Sequence, residues 1–183
     1  FLYYGDEIGM RYQALLLTKE GGYTRTGSRT PMQWDDTINR GFSDAAPEKL
    51  YLPVDITQDA PTVQAQEADA ASLLHTVRNL LKLRGETEDL KDNTNLQLLY
   101  VKEGERAFAY GRGSLVMLCN PSGEEIVLGT TSFAGAESFG KKIVSGGPES
   151  LKPEKLFEIG HTDYADGKFT LGAQSFAVYK VSQ

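Results

Sequence analysis

The sequence is short of several things. It has one cysteine, Cys119, so no intrachain disulfide can form, and its place beside Leu115-Val116-Met117-Leu118 reads as a buried, inert thiol. Its two histidines, His75 and His161, have no cysteine, histidine or carboxylate at metal-ligand spacing. Asp163 and Asp166, flanking Tyr164 in what reads as a loop, lack the regular spacing of a calcium loop, so no metal and no cofactor is expected. Lysine and arginine number 19 against 25 acidic residues, a net charge of −6, and the only dense basic spots are Arg25/Arg29 and Lys141/Lys142. That excludes a nucleic-acid footprint, which needs clustered cations. No stretch approaches the ~20 apolar residues of a membrane-spanning helix, so no membrane partner is expected. There is no internal repeat and no low-complexity tract. The chain begins at Phe1 inside an apolar run and reads as lacking an N-terminal portion. The compartment is therefore left open, with the cytoplasm favoured.

What is present is the composition of an ordinary globular protein, 40% hydrophobic and 24% charged over 183 residues, enough for one or two domains. Phe1 to Tyr4, closed by Gly5, fits a strand buried on both faces. Polar, turn-rich sequence follows to about Asp69, with one short helical candidate near Met10 to Leu17. Loops this long are usually functional or disordered. The aromatics Tyr23, Trp34, Phe42 and Tyr51 argue for an ordered, functional one. From about Ala70 to Arg84, Leu73, Leu74, Val77, Leu80 and Leu81 recur at helical spacing, with Asp69 as N-cap and Gly85 as the left-handed stop. Glu86 to Asn95 reads as a linker.

Beyond Leu96 the period changes to two. Leu96–Val101 and Arg106–Tyr110 flank Glu103-Gly104-Glu105 as a hairpin, and Leu115–Cys119 suits a central strand. Ile126–Leu128, Lys142–Val144, Lys155–Ile159, Lys168–Leu171 and Ser175–Val181 are further strands. Many short strands with turn signals predict an antiparallel β-sandwich.

Strand, long loop and amphipathic helix make one β/α unit, and β/α barrels build active sites from the loops at the carboxyl ends of their strands. Tyr3-Tyr4-Gly5-Asp6-Glu7 and Arg29-Thr30-Pro31-Met32-Gln33-Trp34-Asp35 lie at that position. Together they resemble the last barrel strand and following loop of α-glucosidases in the α-amylase family of glycoside hydrolases. Asn39-Arg40-Gly41-Phe42-Ser43, Leu50-Tyr51-Leu52-Pro53-Val54 and Ser72 to Arg84 resemble the continuation into the eighth barrel helix. The resemblance covers residues 1 to 85; the rest matches the family only in being all-β.

The resemblance implies an α+β chain: the last β/α unit of a (β/α)₈ barrel over 1–85, a linker over 86–95 and a β-sandwich over 96–183. It implies that Arg29 contacts a terminal glucosyl hydroxyl, a task suited to a rigid, permanently charged fork of donors. It also implies that the family's catalytic carboxylates come from earlier strands, so no catalytic residue is expected in this chain. Asp6 and Glu7 are adjacent and on a strand would face opposite ways, which excludes them as the paired carboxylates ~5–5.5 Å apart of a retaining glycosidase; a capping or ion-pairing role is expected for Glu7. Trp34, Tyr23 and Phe42 could stack on sugar or anchor the loop. The parent would be a retaining enzyme acting on α-glucan oligosaccharides. The alternatives are a relative that transfers or isomerises glucosyl units, such as a trehalose synthase, and a non-enzymatic carbohydrate-associated sandwich. Lost barrel neighbours would leave the chain prone to self-association.

Overall fold

Seven of the eight strands expected after residue 96 form among the described residues, the second of them shifted to Phe108–Arg112, and there is one more. A computed structural model describes residues 1–91, 96–134 and 153–181. The chain divides into two units, Phe1–Lys82 and Leu83–Gln183. The second contains β1 (Leu96–Val101), β2 (Phe108–Arg112), β3 (Leu115–Asn120), β4 (Ile126–Gly129), β5 (Glu154–Ile159), β6 (Thr162–Ala165), β7 (Lys168–Leu171) and β8 (Ser175–Lys180). They form a five-stranded sheet in the order β1-β2-β3-β8-β5 and a three-stranded sheet in the order β4-β7-β6. All pairings are antiparallel.

The apolar run of β3 explains the architecture. Val116 and Leu118 join Leu99, Ala109, Ala177 and Tyr179 from their own sheet and Leu128, Phe169 and Leu171 from the other in one core. Leu115 and Met117 point the other way, onto Val178 with Leu83, Leu90 and Phe157. A strand covered on both faces needs no polar alternation, and this one has none until Cys119. Asn120, fully buried, donates from its amide to the carbonyls of Glu124, Leu171 and Gly172 while its oxygen accepts from Ser122. One side chain thus ties the end of β3 to the exit of β7. Asp89 accepts from the amide and hydroxyl of Ser114 at 2.8 and 2.6 Å and so fastens the β2–β3 turn.

Several expectations change here. Asp163 lies in β6, paired with Thr170, rather than in a loop, and Asp166-Gly167 forms the β6–β7 turn with φ of 49° and 74°. Glu88–Leu90 form a 3₁₀ turn within the stretch read as a linker. The Cys119 thiol is half-buried, and desolvation raises its pKa. The strand expected over Lys142–Val144 and the basic pair Lys141/Lys142 lie outside the described residues.

In the first unit Phe1 to Tyr4 are exposed and not in a strand. A strand requires partners for its backbone groups, and among the described residues these four have none in a ladder. Met10 to Leu17 is irregular rather than helical. The helices are α1 (Val63–Ala68), which periodicity did not reveal, and α2 (Leu73–Glu86). Thr62 caps α1 by accepting from the Ala65 amide. Asp69 accepts from Ala71 in the turn before α2, while the Ser72 hydroxyl, at 3.4 Å from the His75 amide, takes the capping role expected of Asp69. Gly85 lies inside α2 rather than stopping it, so the helix continues to Glu86. Of the expected apolar face only Leu74 is buried, against Ile8 and Met32 with Met10 and Val63 alongside.

Candidate active-site wall

The stretch from Arg29 to Trp34 is fixed by its buried members. Thr30 and Gln33 are nearly inaccessible, and the Gln33 amide donates to the Pro61 carbonyl. The Val63 and Gln64 amides donate to the carbonyls of Gln33 and Trp34 at 3.0 and 2.8 Å. The start of α1 thus holds the loop from behind. Upstream, Gly27 passes so close to Gln13 that a Cβ there would lie 2.2 Å from the Gln13 carbonyl oxygen. Only glycine permits that approach.

The far end of the loop is anchored by two arginines. Asn39 and Arg40 adopt left-handed conformations, φ 52° and 59°, and the Arg40 guanidinium donates to the carbonyls of Asp55 and Thr57 and to Asp36. Arg11 pairs with the buried Asp55 at 3.1 Å and with Asp59 at 3.0 Å. Burial opposes ionisation of Asp55, but hydrogen bonds from the Thr57 hydroxyl and amide and the charge of Arg11 outweigh it and hold the carboxyl below its ordinary range.

With both ends fixed, Arg29 is exposed on the rim of a cavity of about 350 Å³, lined by Tyr4, Arg29, Pro31, Met32, Phe42, Tyr51 and Leu52. Among the described residues its guanidinium has no hydrogen-bond or ion-pair partner. The Tyr4 hydroxyl donates to the Thr30 carbonyl at 3.0 Å; desolvation chiefly raises its pKa, with the Arg29 charge acting in the opposite sense. The Lys19 ammonium stands 5.3 Å from the centre of the Tyr51 ring. The Tyr51 phenol is also raised, by desolvation first and then by the charge of Glu20 and a hydrogen bond with it. An apolar, aromatic concavity with one fixed-charge donor suits a ligand having an apolar face and a hydroxyl rim.

Of the residues singled out from the sequence, Arg29 and Phe42 meet in this cavity, whereas Trp34 and Tyr23, both exposed, are not among its lining residues. Tyr4 and Tyr51 carry no site role in the sequence, and only the folded loop brings them beside Arg29; Met32 is its near neighbour in the motif. Asp6 and Glu7 lie in a single 3₁₀ turn, not on a strand, so strand alternation does not separate them. Their carboxylates instead accept from the backbone amides of Tyr3 and Gly5 at 2.9 and 2.8 Å, a capping role for Glu7.

A family profile described as the alpha-amylase catalytic domain matches residues 1–93. The chain belongs to the α-amylase family. It is 39% identical over 119 residues to a trehalose synthase/amylase of Mycolicibacterium smegmatis, covering 57% of this chain and 19% of that protein. It is 32% identical over 149 residues to a salivary alpha-glucosidase of Aedes aegypti, covering 72% of this chain and 25% of that one. The fold is that found in a trehalulose synthase of Pseudomonas mesoacidophila, with a TM-score of 0.73 at 20% identity over 100% of this chain and 35% of the other. The chain therefore spans a quarter or less of these curated relatives. By their names, the relatives include both a trehalose synthase/amylase and an alpha-glucosidase. No described helix is long and apolar enough to cross a membrane.

Proposed function

We propose that this chain is the substrate-facing tail of a retaining α-glucosidase-type enzyme acting on short α-glucans. Residues 1–85 are its last barrel β/α unit, 86–95 a linker and 96–183 a β-sandwich. The exposed guanidinium of Arg29 on the rim of an aromatic cavity carries the reading. Arg29 donates hydrogen bonds to a terminal glucosyl hydroxyl, while an aspartate nucleophile and a glutamate acid/base outside this chain form and resolve the covalent glucosyl intermediate. Two sheets sharing one core support the sandwich assignment for the second unit.

A second reading, transfer of the glucosyl unit back to the released sugar instead of to water, is favoured by the relative in Mycolicibacterium smegmatis, a trehalose synthase/amylase. Both readings share the first chemical step and the same role for Arg29. Incubating the full-length protein with maltose and separating the products distinguishes them. Accumulating glucose supports hydrolysis, trehalose supports isomerisation, and unchanged maltose together with an untouched nitrophenyl α-glucoside overturns both.

A further inference from the structure

Resting on that reading, the geometry points to Tyr51 as the residue whose ring forms the stacking wall for the bound glucosyl unit, with Lys19 as the residue that positions it. Tyr51 lies 22 positions from Arg29, yet both line one cavity with Phe42. Tyr51 is 56% exposed in this chain, whose own fold gains little by burying it. Large aromatic surface left open beside an arginine fork is what a pyranose needs, since its axial C–H groups form an apolar face while its hydroxyls point outward.

The ring is also held. The Lys19 ammonium stands 5.3 Å from its centroid, a cation–π distance. A freely rotating tyrosine would give up rotamer freedom on stacking; one held by a neighbouring cation gives up less. Lys19 and Glu20 sit in a turn, with Glu20 and Gly21 both at positive φ, 46° and 70°. Phe42, half-exposed on the same cavity, supplies a second ring.

Stacking is made alike in the bound substrate and the transition state, so its loss appears in KM rather than in kcat. In the full-length protein acting on maltose, Tyr51→Leu is expected to raise KM about tenfold with kcat within about twofold, a fold-change in the range of aromatic contacts. Tyr51→Phe keeps the ring and stays within about threefold of wild type in KM. Lys19→Met is expected to raise KM about threefold in the wild-type background and to have no effect beside Tyr51→Leu, because it acts through the ring. Melting temperatures near wild type accompany all three, since none of these side chains is buried. An unchanged KM for Tyr51→Leu, or equal effects of Tyr51→Leu and Tyr51→Phe, overturns the inference. If Tyr51→Leu lowers the melting temperature, competitive inhibition by glucose measured with Tyr51→Phe and Lys19→Met decides: Ki preserved in the first and raised in the second supports the ring wall, and the reverse overturns it. Wild-type protein inactive on every α-glucoside overturns the underlying reading instead.

Discussion

Arg29 is exposed, lies on a cavity rim and packs no core, so its replacement should affect substrate rather than folding. In the full-length protein Arg29→Ala is expected to lower kcat/KM for maltose about ten- to hundredfold, the equivalent of losing a charge-assisted hydrogen bond of roughly 1.5–3 kcal/mol. The melting temperature should hardly move. Arg29→Lys should restore little, because an ammonium cannot reproduce the planar fork; steady-state kinetics beside a thermal melt checks both. Asp55 behaves differently, being buried and bonded to Arg11 and Thr57. Its folded pKa is depressed, so its contribution to stability is full above the unfolded value of about 3.9 and is lost as pH falls through the lower folded value. Denaturant melts of wild type and Asp55→Asn between about pH 6 and pH 2 should converge at the acid end and diverge near neutrality. At this scale the motif around Arg29 was legible because it is contiguous in sequence. Tyr51 enters the sequence reading as a sign of order and as part of the resembling stretch Leu50–Val54, not as a site residue, because its place beside Arg29 depends on a loop that returns in space.

Among the elements, strands carried by apolar runs or by alternation are legible in the sequence, and those set by turn chemistry or by pairing are not. β3 declares itself through five consecutive apolar residues, and β8 through the apolar stretch Phe176–Tyr179, buried on both faces between β3 and β5. β6 is only four residues long, but Asp166-Gly167 after it is a strong two-residue hairpin signal that would have located it. Phe1 to Tyr4 failed the other way: the composition is strand-like, but pairing belongs to a sheet and not to a segment. Asn120 could not have been found by pattern at all, since its three carbonyl partners lie up to 52 positions away. Asn120→Ala would leave those carbonyls and the Ser122 donors without it, and is expected to destabilise the second unit by about 1–3 kcal/mol. Urea unfolding followed by Tyr179 fluorescence or amide exchange in β7 should report that loss.

For the whole chain, the expected consequence of the proposed function is inactivity in isolation. Because that proposal puts the nucleophile and the acid/base outside this chain, purified chain should leave nitrophenyl α-glucoside unhydrolysed. Turnover above a blank purification would contradict that. Phe1, Leu2, Leu15, Leu17 and Ile56 are large, apolar and more than half exposed, and, on the proposal that barrel neighbours lie outside this chain, self-association of the isolated chain is the expected outcome. Sedimentation velocity across a hundredfold concentration range should show a rising mass.

The strand order holds a consequence for how the molecule is made. β8, the last of the described strands, sits between β3 and β5 in the five-stranded sheet. During synthesis from the N-terminus, β1, β2 and β3 can zip together as a meander of neighbours as they emerge from the ribosome. β5 then waits without its partner, and one edge of β3 stays open until residues 175–180 have cleared the exit tunnel. The sheet closes from its interior, so a chain cut before residue 175 would leave the β1-β2-β3 meander with a raw edge on β3 and β5 as a lone strand, rather than a slightly shortened sheet.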